Sequence, residues 1–370
     1  MNTTTSARTG AGKRPHFWET FVPGPGHPLR NLAALRAGVG REPGTVPQMR
    51  PLYRVQVTDA DQIAGRTTVA LAAEHAALTL FGVHQQGRPQ SVHQPGRGLG
   101  AACRALKASG RFSPAAVDRN ISAAASSLDL HELHQHLRGL VQKLRIAGLG
   151  MDYTRLYFDL RAWQREPEHE RRVRAWGLQY VDLARQDPTH PGPDDDRPYW
   201  ESRTALEPGS GADLAALRAG MGREAGTVPQ LWPLYRARIG SFEQNTGAPS
   251  PTLDAEHVAL ALFGVHQQGR RTAMHSTGVD LGQACRRVRA SEHVSEEAFD
   301  RRFGNLLTST DAAELQQHLR GLIPQLRDSS QPLDYTRLMS DLRNWDIPER
   351  QTAIRRRWDR TYRSSSSPTA

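Results

Sequence analysis

The sequence contains little cysteine, almost no lysine and no long apolar run. Its two cysteines, Cys103 and Cys285, have no second cysteine nearby, which excludes a thiolate zinc site and favours reduced, buried thiols over a disulfide. No stretch approaches the roughly 18 apolar residues of a membrane-spanning helix. Residues 1–13 also lack the apolar run of a secretory signal, so we expect a cytoplasmic protein without membrane contact.

The positive charge comes almost entirely from arginine. Lys13, Lys107 and Lys143 are the only lysines among 48 basic residues, and the formal net charge is +10. Arginine forms bidentate hydrogen bonds to phosphate and stacks on bases. A genome rich in G and C also favours arginine codons, but the excess still indicates an anionic partner such as nucleic acid.

The chain is a tandem duplication. A shift of 182 residues aligns Trp18–Tyr180 with Trp200–Tyr362 without net insertion, and FGVHQQGR at 81–88 recurs at 263–270. This period exceeds the roughly 20–50 residues of a solenoid repeat, so each copy should be a whole domain. We predict a disordered tail at 1–13, a first domain at 14–183, an acidic, proline-rich linker at 184–196, a second domain at 197–363 and a disordered tail at 364–370.

Helical periodicity dominates both copies. The pattern predicts helices at Leu29–Gly38, Ala72–Gln86 and Leu99–Ala108, with further helices beginning after Ser113 and Asp129 as N-caps. Others begin at Asp152 and near Glu168, and the only strand candidate is a weak one at Tyr53–Val57. The predicted fold class is all-α, with two tandem bundles of about six or seven helices each.

Recurring histidines are the candidates for chemistry. Glu74-His75 and His84 recur as Glu256-His257 and His266, as does His93 as His275. The cluster His131-x-x-His134-x-His136 does not recur, since the second copy has Ala313, Gln316 and His318 there, so we expect no shared metal site. No nucleophile motif, phosphate-binding glycine loop or H-E-x-x-H motif is present. We expect no enzyme and no cofactor; the alternative is an enzyme that uses His84 and His266.

Two other recurring features allow two interpretations each. The segment His84–Arg88 is either a helix C-cap, whose Gln side chains bind loop carbonyls, or a loop that meets a nucleic-acid backbone. The tryptophans Trp163, Trp176, Trp345 and Trp358 fit apolar helix faces better than base-stacking platforms.

The arginines are the better binding candidates. Several recur on predicted helix faces and could follow phosphates, although a solvated face with local salt bridges would have the same pattern. The second copy has the denser clusters, because Ala105 and Asn120 stand where it has arginine. The predicted nucleic-acid-binding residues are Arg88, Arg104, Lys107, Arg119, Arg138, Arg145, Arg270, Arg286, Arg287, Arg289, Arg301, Arg302, Arg320 and Arg327.

Spaced motifs across both copies resemble a known family. They are L-A-x-L-R-x-G, W-P-L-Y, H-Q-Q-G, M-H, L-G-x-A-x-R, H-L-R-G-L and D-Y-x-R-L-x-x-D-L-x-x-W. This pattern is similar to that of the CasB family, the small subunit of the type I-E CRISPR surveillance complex Cascade. The second copy fits best; the first departs from the pattern at Arg50, Val92, Ala105 and Asn120.

The resemblance implies a small all-helical protein without catalytic activity. Family members lie beside the guide RNA, contact the backbone and large subunits of Cascade, and hold target DNA, including the displaced non-target strand of the R-loop. The family usually contributes two separate small subunits, so the fusion predicts one chain in both positions. The competing interpretation is a helical protein-interaction scaffold whose basic face does not bind nucleic acid directly.

Overall fold

A computed structural model describes residues 14–24, 29–181, 197–202, 210–291 and 295–364. Within these ranges the regular structure is helical, and isolated parallel bridges join His93 to Met151 and His275 to Leu333. The predicted all-α class is confirmed. The predicted linker and, apart from Ser364, both predicted tails lie outside the described residues. No helix of the described ranges is long and apolar enough to span a membrane.

Contacts divide the chain into two units, with the division between Arg172 and Val173. Each sequence copy has seven described α-helices of nine or more residues, in agreement with the predicted bundles. The first copy contains α1 (Phe17–Thr20), α2 (Leu29–Ala37), α3 (Asp59–Ile63), α4 (Val69–His84), α5 (Leu99–Ala108), α6 (Pro114–Ala125), α7 (Leu130–Ala147), α8 (Tyr153–Ala162) and α9 (Glu168–Tyr180).

The second copy repeats this order of helices. It contains α10 (Tyr199–Ser202), α11 (Ser210–Ala219), α12 (Ser241–Thr246), α13 (Pro251–His266), α14 (Leu281–Arg289), α15 (Glu296–Thr308), α16 (Ala312–Asp328), α17 (Tyr335–Arg343) and α18 (Pro348–Arg363). A short 3-10 helix lies between the first and second long helices of each copy, at Pro47–Leu52 and Pro229–Leu234.

Side chains of the predicted capping residues begin the helices. The Asp129 carboxylate accepts the backbone N–H of Glu132, and Asp311 does the same for Glu314. Ser113 caps α6 through the N–H of Ala116, where Pro114 occupies the first helical position. Each such cap stabilises a helix by about 1 kcal/mol, because it satisfies a backbone donor that has no partner within the helix.

The central helix of each copy is apolar on almost every side. Helix α4 packs against α2, α7 and α8, and α13 packs against α11, α16 and α17, so each core surrounds one buried helix. Phe81 and Phe263 lie in these cores. The four tryptophans predicted to be core residues, Trp163, Trp176, Trp345 and Trp358, are all buried.

The strand prediction at Tyr53–Val57 is wrong. The segment is irregular, and a buried carboxylate supplies the hydrogen bonds that a sheet would have provided. Glu74 on α4 accepts the backbone N–H groups of Arg54 at 2.9 Å and Val55 at 2.8 Å. Glu256 holds the equivalent segment of the second copy in the same way. The recurrence of this glutamate thus has a structural cause.

The division between units falls inside α9. Its last residues, Val173–Tyr180, belong to the second unit, and all of them are buried there. In its counterpart α18, by contrast, only Ile354 and Trp358 are buried. A helix that is buried on every side must have packing partners on more than one face.

Candidate nucleic-acid interface

The recurring histidines lie in the helical core. His75 donates to the Gly38 carbonyl at 3.0 Å and contacts the Tyr53 hydroxyl at 2.6 Å. His84 donates to the Leu149 carbonyl at 2.8 Å, and its other ring nitrogen contacts the Tyr153 hydroxyl. Burial lowers the pKa of His84 to about 4. Both rings are buried, and burial also lowers the pKa of His75, so both are neutral at pH 7.

The remaining histidines also have separate structural contacts. His93 and His275 each accept the backbone N–H that begins the following tyrosine-led helix, at 3.1 and 3.2 Å. In the unshared cluster, His134 contacts Thr79 while His131 contacts Gln135. Within the described ranges, no three side chains of the metal-ligating types lie close enough together to hold an ion.

The H-Q-Q-G-R segment is a helix C-cap. Gln85 donates to the carbonyl oxygens of Arg88 and Gln90, and its own carbonyl accepts the N–H of Val92 at 2.9 Å. Gln267 repeats all three bonds in the second copy. This confirms the structural interpretation for the first glutamine of the pair.

Exposed arginines lie on two contacting helices of the second unit. Arg287 is on α14, and Arg301 and Arg302 are on α15. In the described part of the chain, no hydrogen bond or ion pair occupies these three guanidinium groups. Ala105 and Asn120 replace two of them in the first copy, where Arg119 remains exposed.

One residue of the predicted set in each copy forms an ion pair between helices. Arg289 lies 2.7 Å from Asp300, and Lys107 lies 2.8 Å from Asp118. The Arg289 hydrogen bond lowers the pKa of the Asp300 carboxyl. These ion pairs join α5 to α6 and α14 to α15, so they position the neighbouring arginines on those helices.

Other predicted residues have intramolecular partners at helix ends. Arg88 donates to the Arg145 carbonyl at 3.5 Å, and Arg270 donates to Ser330 and pairs with Asp328. Arg327 also pairs with Asp328, and Arg145 is half-buried.

The rest of the predicted set divides by exposure. Arg138 on α7 and Arg320 on α16 are exposed. Arg104 and Arg286 are half-buried, and Arg286 donates to the Ser364 carbonyl at the end of α18. The exposed members therefore lie on α6 and α7 of the first copy and on α14, α15 and α16 of the second.

The set of binding residues predicted from the sequence contains none of the exposed arginines on α18. Arg356 and Arg360 are both exposed, although their first-copy counterparts, Arg174 and Leu178, are buried. The run Arg355–Arg357 was a visible signal. Candidates that recur in both copies are easy to select from the sequence, whereas Arg360 has a leucine at its first-copy position and so does not recur.

Fold and site together define a class: a duplicated, all-helical, basic protein whose recurring histidines have structural roles. The model of the family described as "CRISPR-associated protein Cse2" matches residues 31–180 and again 213–362. The chain therefore belongs to the Cse2 family of CRISPR-associated proteins and carries two copies of its domain.

The solved structures include a similar protein. The crystal structure of CasB from Thermobifida fusca is 25% identical to this chain, covering 52% of this chain and 98% of its own, with a TM-score of 0.34. No curated protein matches the sequence.

Proposed function

We propose that this protein is the non-catalytic small subunit of a type I-E Cascade complex and that it binds the nucleic-acid backbone. Its partners are the backbone and large subunits, the guide RNA and the target DNA. The observation that supports this is a set of exposed arginines, Arg287, Arg301 and Arg302, which lie on two contacting helices and have no partner among the residues that the structure describes.

These arginines would act on the displaced non-target strand of the R-loop. Forming an R-loop is nearly balanced in energy, because the heteroduplex gained is about as stable as the DNA duplex lost. A few arginine–phosphate contacts to the released strand are enough to shift such a balance. They read charge rather than sequence, because phosphates are the same at every position.

Binding to single strands should be independent of sequence and strongly dependent on salt. We expect the chain to bind a mixed-sequence DNA strand in fluorescence anisotropy titrations, with log K falling linearly with log salt between about 50 and 200 mM. The slope reports how many phosphates are neutralised. No binding at low ionic strength, either by the free chain or by its assembled complex, would contradict the proposal.

One chain should occupy both small-subunit positions of the complex. Fusion makes the second docking event intramolecular, at an effective concentration that separate subunits do not have. We therefore expect native mass spectrometry of the assembled complex to find one full-length chain. Two full-length chains per complex would refute this stoichiometry, without bearing on single-strand binding.

A further inference from the structure

The first unit has an open groove whose counterpart in the second unit is filled. The groove encloses about 800 Å³ and is lined by Pro43–Thr45, Arg50, Tyr53 and the loop at 65–67. The duplication maps this lining onto Ala225–Thr227, Trp232, Tyr235 and residues 247–249.

An arginine of α9 occupies the second-unit groove. The Arg174 guanidinium donates to the carbonyl oxygens of Ala225 at 2.7 Å and Gly247 at 3.1 Å. It also pairs with the carboxylate of Glu224 at 3.0 Å. The side chain is only 4% exposed, so this site is a buried receptor for one arginine.

A glycine provides the second contact. A Cβ atom at Gly177 would lie 2.3 Å from the indole Nε1 of Trp232, so this approach tolerates no side chain. The Tyr180 ring lies beside the same indole, at 6.2 Å between centroids. Trp232 and Tyr235 are each 1% exposed as a result.

The first unit retains the arginine receptor. Glu42 stands at the position of Glu224, and Gly44 (φ +82°) and Gly65 (φ +62°) have the backbone conformation of Gly226 (φ +76°) and Gly247 (φ +66°). In this alignment the carbonyl oxygens of Pro43 and Gly65 correspond to the two acceptors, those of Ala225 and Gly247.

This receptor is open to solvent. Among the described residues, nothing lies within 4 Å of where a Cβ of Gly44 would be, whereas the Arg174 Cγ is 2.8 Å from the same point at Gly226. Tyr53 is accordingly only half-buried.

One difference between the two grooves indicates which kind of helix the open groove can bind. Arg50 is exposed where the second unit has Trp232, so the groove favours a helix with an acidic residue in place of Gly177. Helix α18 has this pattern: Arg356 aligns with Arg174, and Asp359 aligns with Gly177.

Helix α18 presents this pair on its outer face. It packs along α14, with Ile354 and Trp358 buried. Arg356 is two residues from Trp358, about 200° around the helix, and is exposed. Asp359 is half-buried and pairs with Arg363, also near the outer face. The face can therefore dock while α18 stays packed on α14.

We propose that the open groove of the first unit binds α18 of a second copy of this chain. Arg356 donates to the carbonyl oxygens of Pro43 and Gly65 and pairs with Glu42, while Asp359 pairs with Arg50. Donor and acceptor lie on different parts of the chain, so the contact is heterologous and extends head to tail rather than closing as a dimer. It does not depend on nucleic-acid binding.

Sedimentation velocity of the free full-length chain at low salt tests this contact. We expect the average mass to rise with concentration across the micromolar range, and to rise less in high salt, because the contact is charged. Arg50→Asp and Asp359→Arg should each weaken association by about tenfold or more, and the double variant should recover most of it, because the charges are exchanged.

Arg30→Asp, an exposed substitution outside the groove lining, is the matched control and should associate like the parent chain. Circular dichroism melts establish that every variant is folded. A chain that stays monomeric throughout overturns the proposal, as does association that ignores Arg50→Asp or is not restored in the double variant. If Arg50→Asp instead removes oligonucleotide binding and leaves association unchanged, the groove binds nucleic acid and not α18.

Discussion

Replacing Arg286, Arg287, Arg301 and Arg302 together with glutamine should abolish most single-strand binding while leaving the fold intact. Three of the four are exposed and Arg286 is half-buried, so glutamine keeps their helices without cutting into the core. Each phosphate contact to a single strand contributes a salt slope of about 0.7, or about fivefold in affinity at 0.1 M salt. Three or four contacts therefore predict a loss on the order of 100-fold and a slope smaller by about 2 to 3.

The control removes the same charge elsewhere on the second copy. Arg223, Arg271, Arg337 and Arg343 are all exposed and none belongs to the predicted set. Their combined replacement with glutamine lowers the net charge equally, so it measures the nonspecific effect of charge. Anisotropy titrations at several salt concentrations compare the two variants. Equal losses would show that net charge alone attracts the strand, and an unchanged affinity in the first variant would remove the proposed surface.

A fragment that begins at residue 197 should be much less stable than one that begins at residue 173. The shorter fragment lacks Val173–Tyr180, which fill the groove and cover Trp232 and Tyr235. Exposing on the order of 200 Å² of apolar surface costs about 5 kcal/mol at 25 cal/mol per Å². Because this figure is an upper estimate, we expect a loss of about 3 to 5 kcal/mol, which lowers the melting temperature by roughly 10 °C.

Calorimetry of the two fragments measures the difference, and a peptide spanning residues 166–183 tests its cause. The added peptide should restore the shorter fragment toward the stability of the longer one. The same peptide with Gly177→Asp should fail, since its Cβ would meet the Trp232 indole. Equal melting temperatures for the two fragments would mean that α9 contributes nothing to the second unit.

Much of the fold follows from local chemistry that the sequence displays. Asp129 and Ser113 were predicted as caps because their side chains can reach a backbone N–H within one turn, and both do so. Leu99–Ala108 was predicted with its observed bounds, as its apolar residues recur at helical spacing. Tyr53–Val57 was missed because its hydrogen-bond acceptor, Glu74, is about 20 residues away in the chain.

The candidate site was less visible in the sequence. In the sequence, Lys107 and Arg289 look like the exposed arginines that lie near them on the same predicted helices. Only the packing of the next helix brings Asp118 beside Lys107 and Asp300 beside Arg289. A pattern along one helix records which face is apolar, but it does not record which charged residue of another helix lies opposite. Exposure and pairing of the arginines therefore had to come from the structure.

The sequence alone determined the duplication, the helical class, the buried tryptophans and the resemblance to the CasB family, because identity between copies and helical period are properties of the linear chain. Only the tertiary structure showed that the last residues of α9 pack in the second unit. Arg174 and Arg356 occupy equivalent positions in two homologous helices, yet one is buried among carbonyl oxygens and the other is exposed. That difference depends on which surface each helix meets, and such a surface forms only when residues distant in sequence pack together.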